Sequence, residues 1–137
     1  MRRVICLGSY QGNDALAWQL ADALEQGVEQ RGDVEVLRCA SPAQMLGLCA
    51  GTTALMVIDA TLNLPPGCVR SVSEAELVER PGCSSHGVDL LTVLGVARAL
   101  GDLPPQCVIL GLGVDDGAPE QLVQRFLPAV LAELEKI

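Results

Sequence analysis

Aromatic side chains are almost missing from this chain: one Trp, one Tyr and one Phe in 137 residues. Its core must therefore be built from Leu, Val, Ala and Ile, which suits helices packed closely on a sheet. Basic residues are scarce as well. Nine Lys and Arg stand against 17 Asp and Glu, a net charge of -8. Phosphate backbones are bound by clustered Lys and Arg, so no nucleic-acid partner is expected. No apolar run approaches the roughly 18 residues that span a bilayer, so no membrane partner is expected either. The basic start Met1-Arg2-Arg3 leads into an apolar run that stops at Gly8, too short for a signal-peptide core. The expectation is a cytoplasmic protein. Repeats, low-complexity tracts and linkers are absent too, which leaves a single domain over 1–137.

Six cysteines are present, but Cys6, Cys39, Cys49, Cys68, Cys83 and Cys107 include no C-x-x-C pair and no short His/Cys cluster. That spacing argues against a zinc site and a disulfide framework. Most of them stand among aliphatic residues, where a free thiol acts as a small hydrophobe. Cys83 differs, lying in a polar stretch three residues before His86, the only histidine.

What is there is a strand, a turn and a helix start. Val4-Ile5-Cys6-Leu7 runs into Gly8, a polar loop follows, and Asp14 opens a stretch with helical periodicity. Leu16, Leu20, Leu24 and Val28 share one face, which predicts a first helix over about 13–30. Val34 to Cys39 alternates as a half-buried strand. Ser41 and Pro42 supply an N-cap and first-turn proline for a short helix to about Ala50. Ala54 to Ala60 is a near-continuous apolar run carrying Asp59, the pattern of an interior parallel strand. Leu64-Pro65-Pro66-Gly67 makes a turn, and Cys68 to Val72 reads as a further strand, compatible with an antiparallel edge. Glu74 to Ser85 reads as a loop. From Ser85 or His86 to Leu100 the chain is helical and apolar almost all round, so a buried helix is expected. Cys107 to Leu112 is the last strand. The final helix runs over about Pro119 to Lys136, with Pro128 expected to kink or split it. The alternation predicts an α/β fold: a three-layer, doubly wound sandwich of about five mostly parallel strands with helices on both faces.

Three potential metal ligands fall at comparable places. Asp14 follows the first strand, Asp59 ends the third, and His86 stands at the start of the third helix. With the first and third strands adjacent, both carboxylates share one sheet edge, and ligands bind beyond the carboxyl ends of strands in such sheets. Two carboxylates and an imidazole suit a divalent transition metal with open positions. A helix N-terminus also disfavours the imidazolium, leaving the neutral ring that binds metal. Each residue alone is equally compatible with a helix cap or a turn.

The stretch Leu7-Gly8-Ser9-x-x-Gly12-Asn13-Asp14-Ala15-Leu16-Ala17-Trp18 resembles the opening motif of the hydrogenase maturation endopeptidases, often G-S-P-x-G-D-D-x-L-G-W. Val57-Ile58-Asp59-Ala60 is similar to the family's second motif. Ser84-Ser85-His86, with Leu90, Leu91 and Leu94, is similar to its third, and Leu103 to Leu112 to its return strand. The resemblance implies an endopeptidase that removes the C-terminal extension of a nickel-iron hydrogenase large-subunit precursor after nickel insertion. It implies that Asp14, Asp59 and His86 contact the precursor's nickel, or another divalent metal in its place. Asp14 and Asp59 are the candidate catalytic carboxylates. Asn13 replaces the first Asp of the family's usual pair, and Ala17 its usual Gly. Asn13 carries no charge, so a base at that position would be lost.

The cleavage chemistry stays open at this level. No Gly-x-Ser-x-Gly elbow is present, and Cys83 near His86 is the one Cys/His pairing in sight. A metal-activated water, or a metal that only positions substrate while Asp14 or Asp59 acts as base, are both compatible. An alternative function is a non-cleaving nickel- and precursor-binding maturation factor of the same fold. A nucleotide binder is weaker, because Gly8-x-x-x-Gly12 is neither G-x-G-x-x-G nor a P-loop. Specificity is expected in the loops Leu62–Gly67, Glu79–Ser85 and Asp115–Glu120.

Overall fold

Aliphatic runs with period-two alternation set the sheet, and helical stripes set the layers on either side. The computed structural model of the chain describes residues 1–8, 14–60, 62, 64–79 and 85–137; for Asp14, Glu79 and residues 85–88 it describes the backbone alone. Five strands form one sheet, β1 (Arg2–Leu7), β2 (Val34–Cys39), β3 (Ala54–Asp59), β4 (Val69–Val72) and β5 (Gln106–Leu112). Their order is β2-β1-β3-β5-β4. All neighbours are parallel except β4, which runs antiparallel to β5 at the edge. Among the described residues four α-helices join them: α1 (Asp14–Val28), α2 (Glu74–Glu79), α3 (Ser85–Ala99) and α4 (Pro119–Leu134). The fold is the expected three-layer α/β sandwich.

The alternation of the strands divides the core in two. Val4, Cys6, Met56 and Ile58 point to one face, where α1 and α4 cover them through Leu20, Leu24, Phe126 and Val130. Ile5, Leu7, Leu55 and Val57 point to the other, where Met45, Leu77, Leu90 and Leu94 cover them. β3 lies inside both clusters and is buried along its whole length. A strand covered on both faces has no polar side to show, which is why its sequence reads as a continuous apolar run.

Four expectations need correction. Glu74–Glu79 is helix α2, not loop. The signal was Ser73-x-x-Glu76: the Ser73 hydroxyl accepts the Glu76 backbone N–H at 3.1 Å, half of a capping box. Replacing Ser73 by Ala is expected to cost about 1 kcal/mol, read as a lower urea midpoint with an unchanged m-value.

The second helix is one 3₁₀ turn, Pro42–Met45, rather than a helix to Ala50. The Ser41 side chain caps nothing there; instead the Gln44 side chain reaches back to accept the Ala40 N–H at 2.8 Å. Helix α4 is not split at Pro128 but continues through it, its apolar face held against α1 and the sheet by Phe126 and Val130. Helix α3 is not buried all round. Leu90, Val93, Leu94 and Ala97 face the core, whereas Val96, and Leu100 just past the helix end, are exposed.

Candidate functional site

The sheet order creates a crevice at one place. From β1 the chain crosses by α1 to β2 on one side, and from β3 it moves to β4 and β5 on the other. Neighbouring strands whose connections depart in opposite directions leave a gap between the loops beyond their carboxyl ends. Here those ends are Leu7 of β1 and Asp59 of β3, which are register partners. On the far side of Asp59 the register partner is Gly111 of β5.

The elements that carry the residues singled out from the sequence meet beside this crevice. Asp59 is the last residue of β3, and its position in the alternation points it to the α3 face, with Leu55 and Val57. It is fully buried, the one buried polar or charged side chain among the described residues. Removing a carboxylate from water is costly, so such a group marks a built polar site more often than a structural accident. Asp14 is the first residue of α1, the helix that follows β1. His86 is the second residue of α3, whose later turns pack on the Asp59 face. The backbone therefore brings two helix starts and one strand end to the same sheet edge, α1 on one face and α3 on the other. Asn13 and Cys83 lie outside the described residues.

Three features round the crevice went unread in the sequence. Gly111 is flat because Leu64 lies on it: a Cβ there would stand 2.5 Å from Leu64 Cδ1. Gly113 meets backbone directly, since a Cβ there would stand 1.8 Å from the Pro65 carbonyl oxygen. Gly113 and the Pro65-to-Cys68 turn exchange hydrogen bonds, Gly113 N–H to Cys68 O at 2.6 Å and Gly67 N–H to Gly113 O at 2.8 Å. The available signal was Gly111-Leu112-Gly113, two glycines two apart at a strand end, a mark of close backbone approach. The loop after β5 is fastened too. Asp115 accepts the Gly117 N–H at 2.8 Å and pairs with Arg125 at 2.7 Å. The Arg125 guanidinium, then the Gly117 N–H, hold its carboxyl below the usual carboxylate range.

A cavity of about 350 Å³ opens elsewhere, at the other end of the β4–β5 pair, between Ser71, Glu74, Leu94, Arg98 and Cys107. Its charged rim is internally paired through Arg98 and Glu74 at 2.8 Å. It is separate from the crevice at Asp59.

The described cysteines, Cys6, Cys39, Cys49, Cys68 and Cys107, are free thiols. Burial pushes Cys6 up to about 12 and Cys107 up to about 11, and raises Cys39 and Cys49. A thiol held neutral is a poor nucleophile. It also makes stability depend on pH. The folded thiol keeps its proton where the unfolded one, near 9.0, has lost it. The Cys6 contribution is therefore complete below pH 9 and is lost from there towards pH 12, at about 1.4 kcal/mol per pH unit. Urea midpoints at pH 8 and pH 10 should show the fall, and Cys6→Ala should make it shallower.

Comparison with known proteins gives this arrangement a context. A family model described as hydrogenase maturation protease (HycI) matches residues 18–137, a span that includes Asp59 and His86 and begins after Asp14. No curated protein matches. Among solved structures, the chain is similar to the hydrogenase maturating endopeptidase HybD from Escherichia coli: TM-score 0.71, 23% identity, covering 98% of this chain and 92% of that one. A solution structure of an endopeptidase from Escherichia coli gives 0.72 at 22% identity, over 98% and 93%. The Escherichia coli endopeptidase HycI gives 0.57 at 19%, over 90% and 85%. At these identities the structures speak for the fold. No helix among the described residues is long and apolar enough to cross a membrane.

Proposed function

The chain belongs to the hydrogenase maturation protease family, and from that premise we propose that it removes the C-terminal extension of a nickel-iron hydrogenase large-subunit precursor once nickel is in place. The observation that carries the reading is Asp59, a fully buried carboxylate at the strand crossover, with the helix starts that hold Asp14 and His86 on either side.

On this reading the metal is part of the substrate. Carboxylates and imidazole together suit a nickel ion with positions left for the precursor's own ligands. Asp14, Asp59 and His86 meet it, so that only a loaded precursor is seated. The C-terminal extension then lies across the sheet edge; one carboxylate takes the proton of the water that adds to the scissile carbonyl and returns it to the nitrogen as the C–N bond breaks. The second holds the metal-bearing segment in register, which turns recognition into positioning.

The test is intact-mass spectrometry of nickel-loaded precursors incubated with the purified protein. Loss of a C-terminal peptide, abolished by His86→Ala, is expected. Binding without cutting, across several hydrogenase precursors, would replace this reading with a non-cleaving maturation factor; Asn13→Asp is then the substitution to test for restored cleavage.

A further inference from the structure

The cavity at the far end of the β4–β5 pair is floored by a strand edge that the sheet leaves unfinished. β5 pairs with β3 from Gln106 to Gly111, but β4 reaches back along it only as far as Ile109. In the β4 register the residue opposite Cys107 would be Glu74, where the chain has already turned into α2. Strand alternation fixes which groups face the opening. Gly113 donates to Cys68 O and accepts from the Gly67 N–H, so both its main-chain groups turn towards β4. These groups alternate sides along a strand, so Gly111, Ile109 and Cys107 turn the same way. Arg70 and Val72 meet the first two. Cys107 has no strand on that side, and among the described residues no backbone partner outside the sheet. Pro105, the next position of the same parity, carries no N–H. The open edge therefore comes down to the N–H and C=O of one residue.

The outer edge of β4 gives the contrast. There the Arg70 guanidinium folds back to donate to the Ser71 carbonyl at 3.1 Å. A charged side chain laid on an edge is one of the devices that stop it pairing with another chain. Cys107 instead opens into the cavity, whose volume of about 350 Å³ suits a residue or two of extended peptide. A residue paired opposite Cys107 points its side chain to the face shared by Val72 and Ile109, where Leu94 completes an apolar wall. At the mouth the charges cancel in pairs, Arg98 with Glu74 and Arg70 with Glu76, both at 2.8 Å. That balance suits an uncharged segment, and the net charge of -8 disfavours an acidic one.

We propose that this cavity is a peptide-binding site, in which one residue of an extended, uncharged stretch of a partner polypeptide pairs with Cys107 in line with β4 and sets an apolar side chain against Val72, Leu94 and Ile109. Strand addition of this kind takes affinity from main-chain hydrogen bonds and selectivity from the pocket for the side chain. The site stands apart from the crevice at Asp59 and does not depend on the cleavage reading.

The probe is acetyl-Ala-Leu-Ala-amide, titrated into the isotope-labelled full chain and followed by its amide shifts. Saturable shifts are expected at Ser73, Cys107 and Val108. The same peptide methylated at the leucine nitrogen cannot donate to Cys107 O and should bind about tenfold more weakly. Aspartate in place of leucine should weaken binding at least as much. Cys107→Phe, which fills the cavity from its floor, should abolish binding while the melting temperature stays within a few degrees. Should that variant not fold, the shift map and the methylated peptide decide. Shifts that leave Cys107 and Val108 unmoved, equal binding of either altered peptide, or undiminished binding by folded Cys107→Phe overturns the site.

Discussion

Asp59→Asn is expected to leave a folded protein that processes its precursor at least 100-fold more slowly. The substitution keeps shape and an acceptor oxygen but removes the charge. A proton-accepting carboxylate contributes a factor of about 10²–10⁴, and loss of a charged group facing a metal adds to it. The fold should survive because Asp59 ends β3 with its backbone paired on both sides, to Leu7 and Gly111. Buried charge at functional sites is commonly retained at some expense in stability, so a melting temperature near or above that of the wild type fits the account. Full processing by Asp59→Asn would remove Asp59 from the mechanism. Unfolding would make it a structural residue.

Phe126→Ala should be the most damaging single change to the fold. Phe126 is the only phenylalanine and is completely buried, at the centre of the layer where α1 and α4 meet β1 and β3. No other aromatic side chain stands among the buried residues of that cluster, which are aliphatic apart from Cys6 and Met56. Removing a buried ring costs about 3–5 kcal/mol, against a total of roughly 5–15 kcal/mol for a domain. That corresponds to a drop of roughly 10–20 °C in melting temperature for a chain of this length. Urea denaturation monitored by circular dichroism gives the number directly. A loss under about 1 kcal/mol would mean that the layer repacks freely.

The sheet was legible in the sequence because interior parallel strands are covered on both faces, so runs such as Ala54-Leu55-Met56-Val57-Ile58 stand out without further context. The antiparallel edge at Val69–Val72 was readable for the opposite reason, being short and interrupted by Arg70 and Ser71. Helix α2 was hidden by its composition: Glu74-Ala75-Glu76-Leu77-Val78-Glu79 buries little beyond Leu77, so no periodic stripe shows. Only the Ser73 cap announces it. For α3 the sequence misleads, since small and aliphatic residues such as Gly95 and Val96 occupy solvent-facing positions. Composition could not separate its two sides.

The candidate site was legible in part. The strand end at Asp59 and the helix starts at Asp14 and His86 follow from local pattern, and their shared edge follows from β1 and β3 being neighbours. What local pattern does not carry is the far side of the crevice. The packing of Leu64 on Gly111 and the pairing of Gly113 with the Pro65 turn join segments some fifty residues apart, and only the assembled sheet brings them together.

The account turns on the precursor's nickel being what Asp14, Asp59 and His86 recognise. One paired measurement tests it: the intact mass of the same large-subunit precursor, with and without nickel, after incubation with this protein. The account predicts a shortened chain in the nickel-loaded sample and full-length precursor in the other. Equal shortening in both would contradict it, and would make the three residues part of a cleavage site indifferent to the metal.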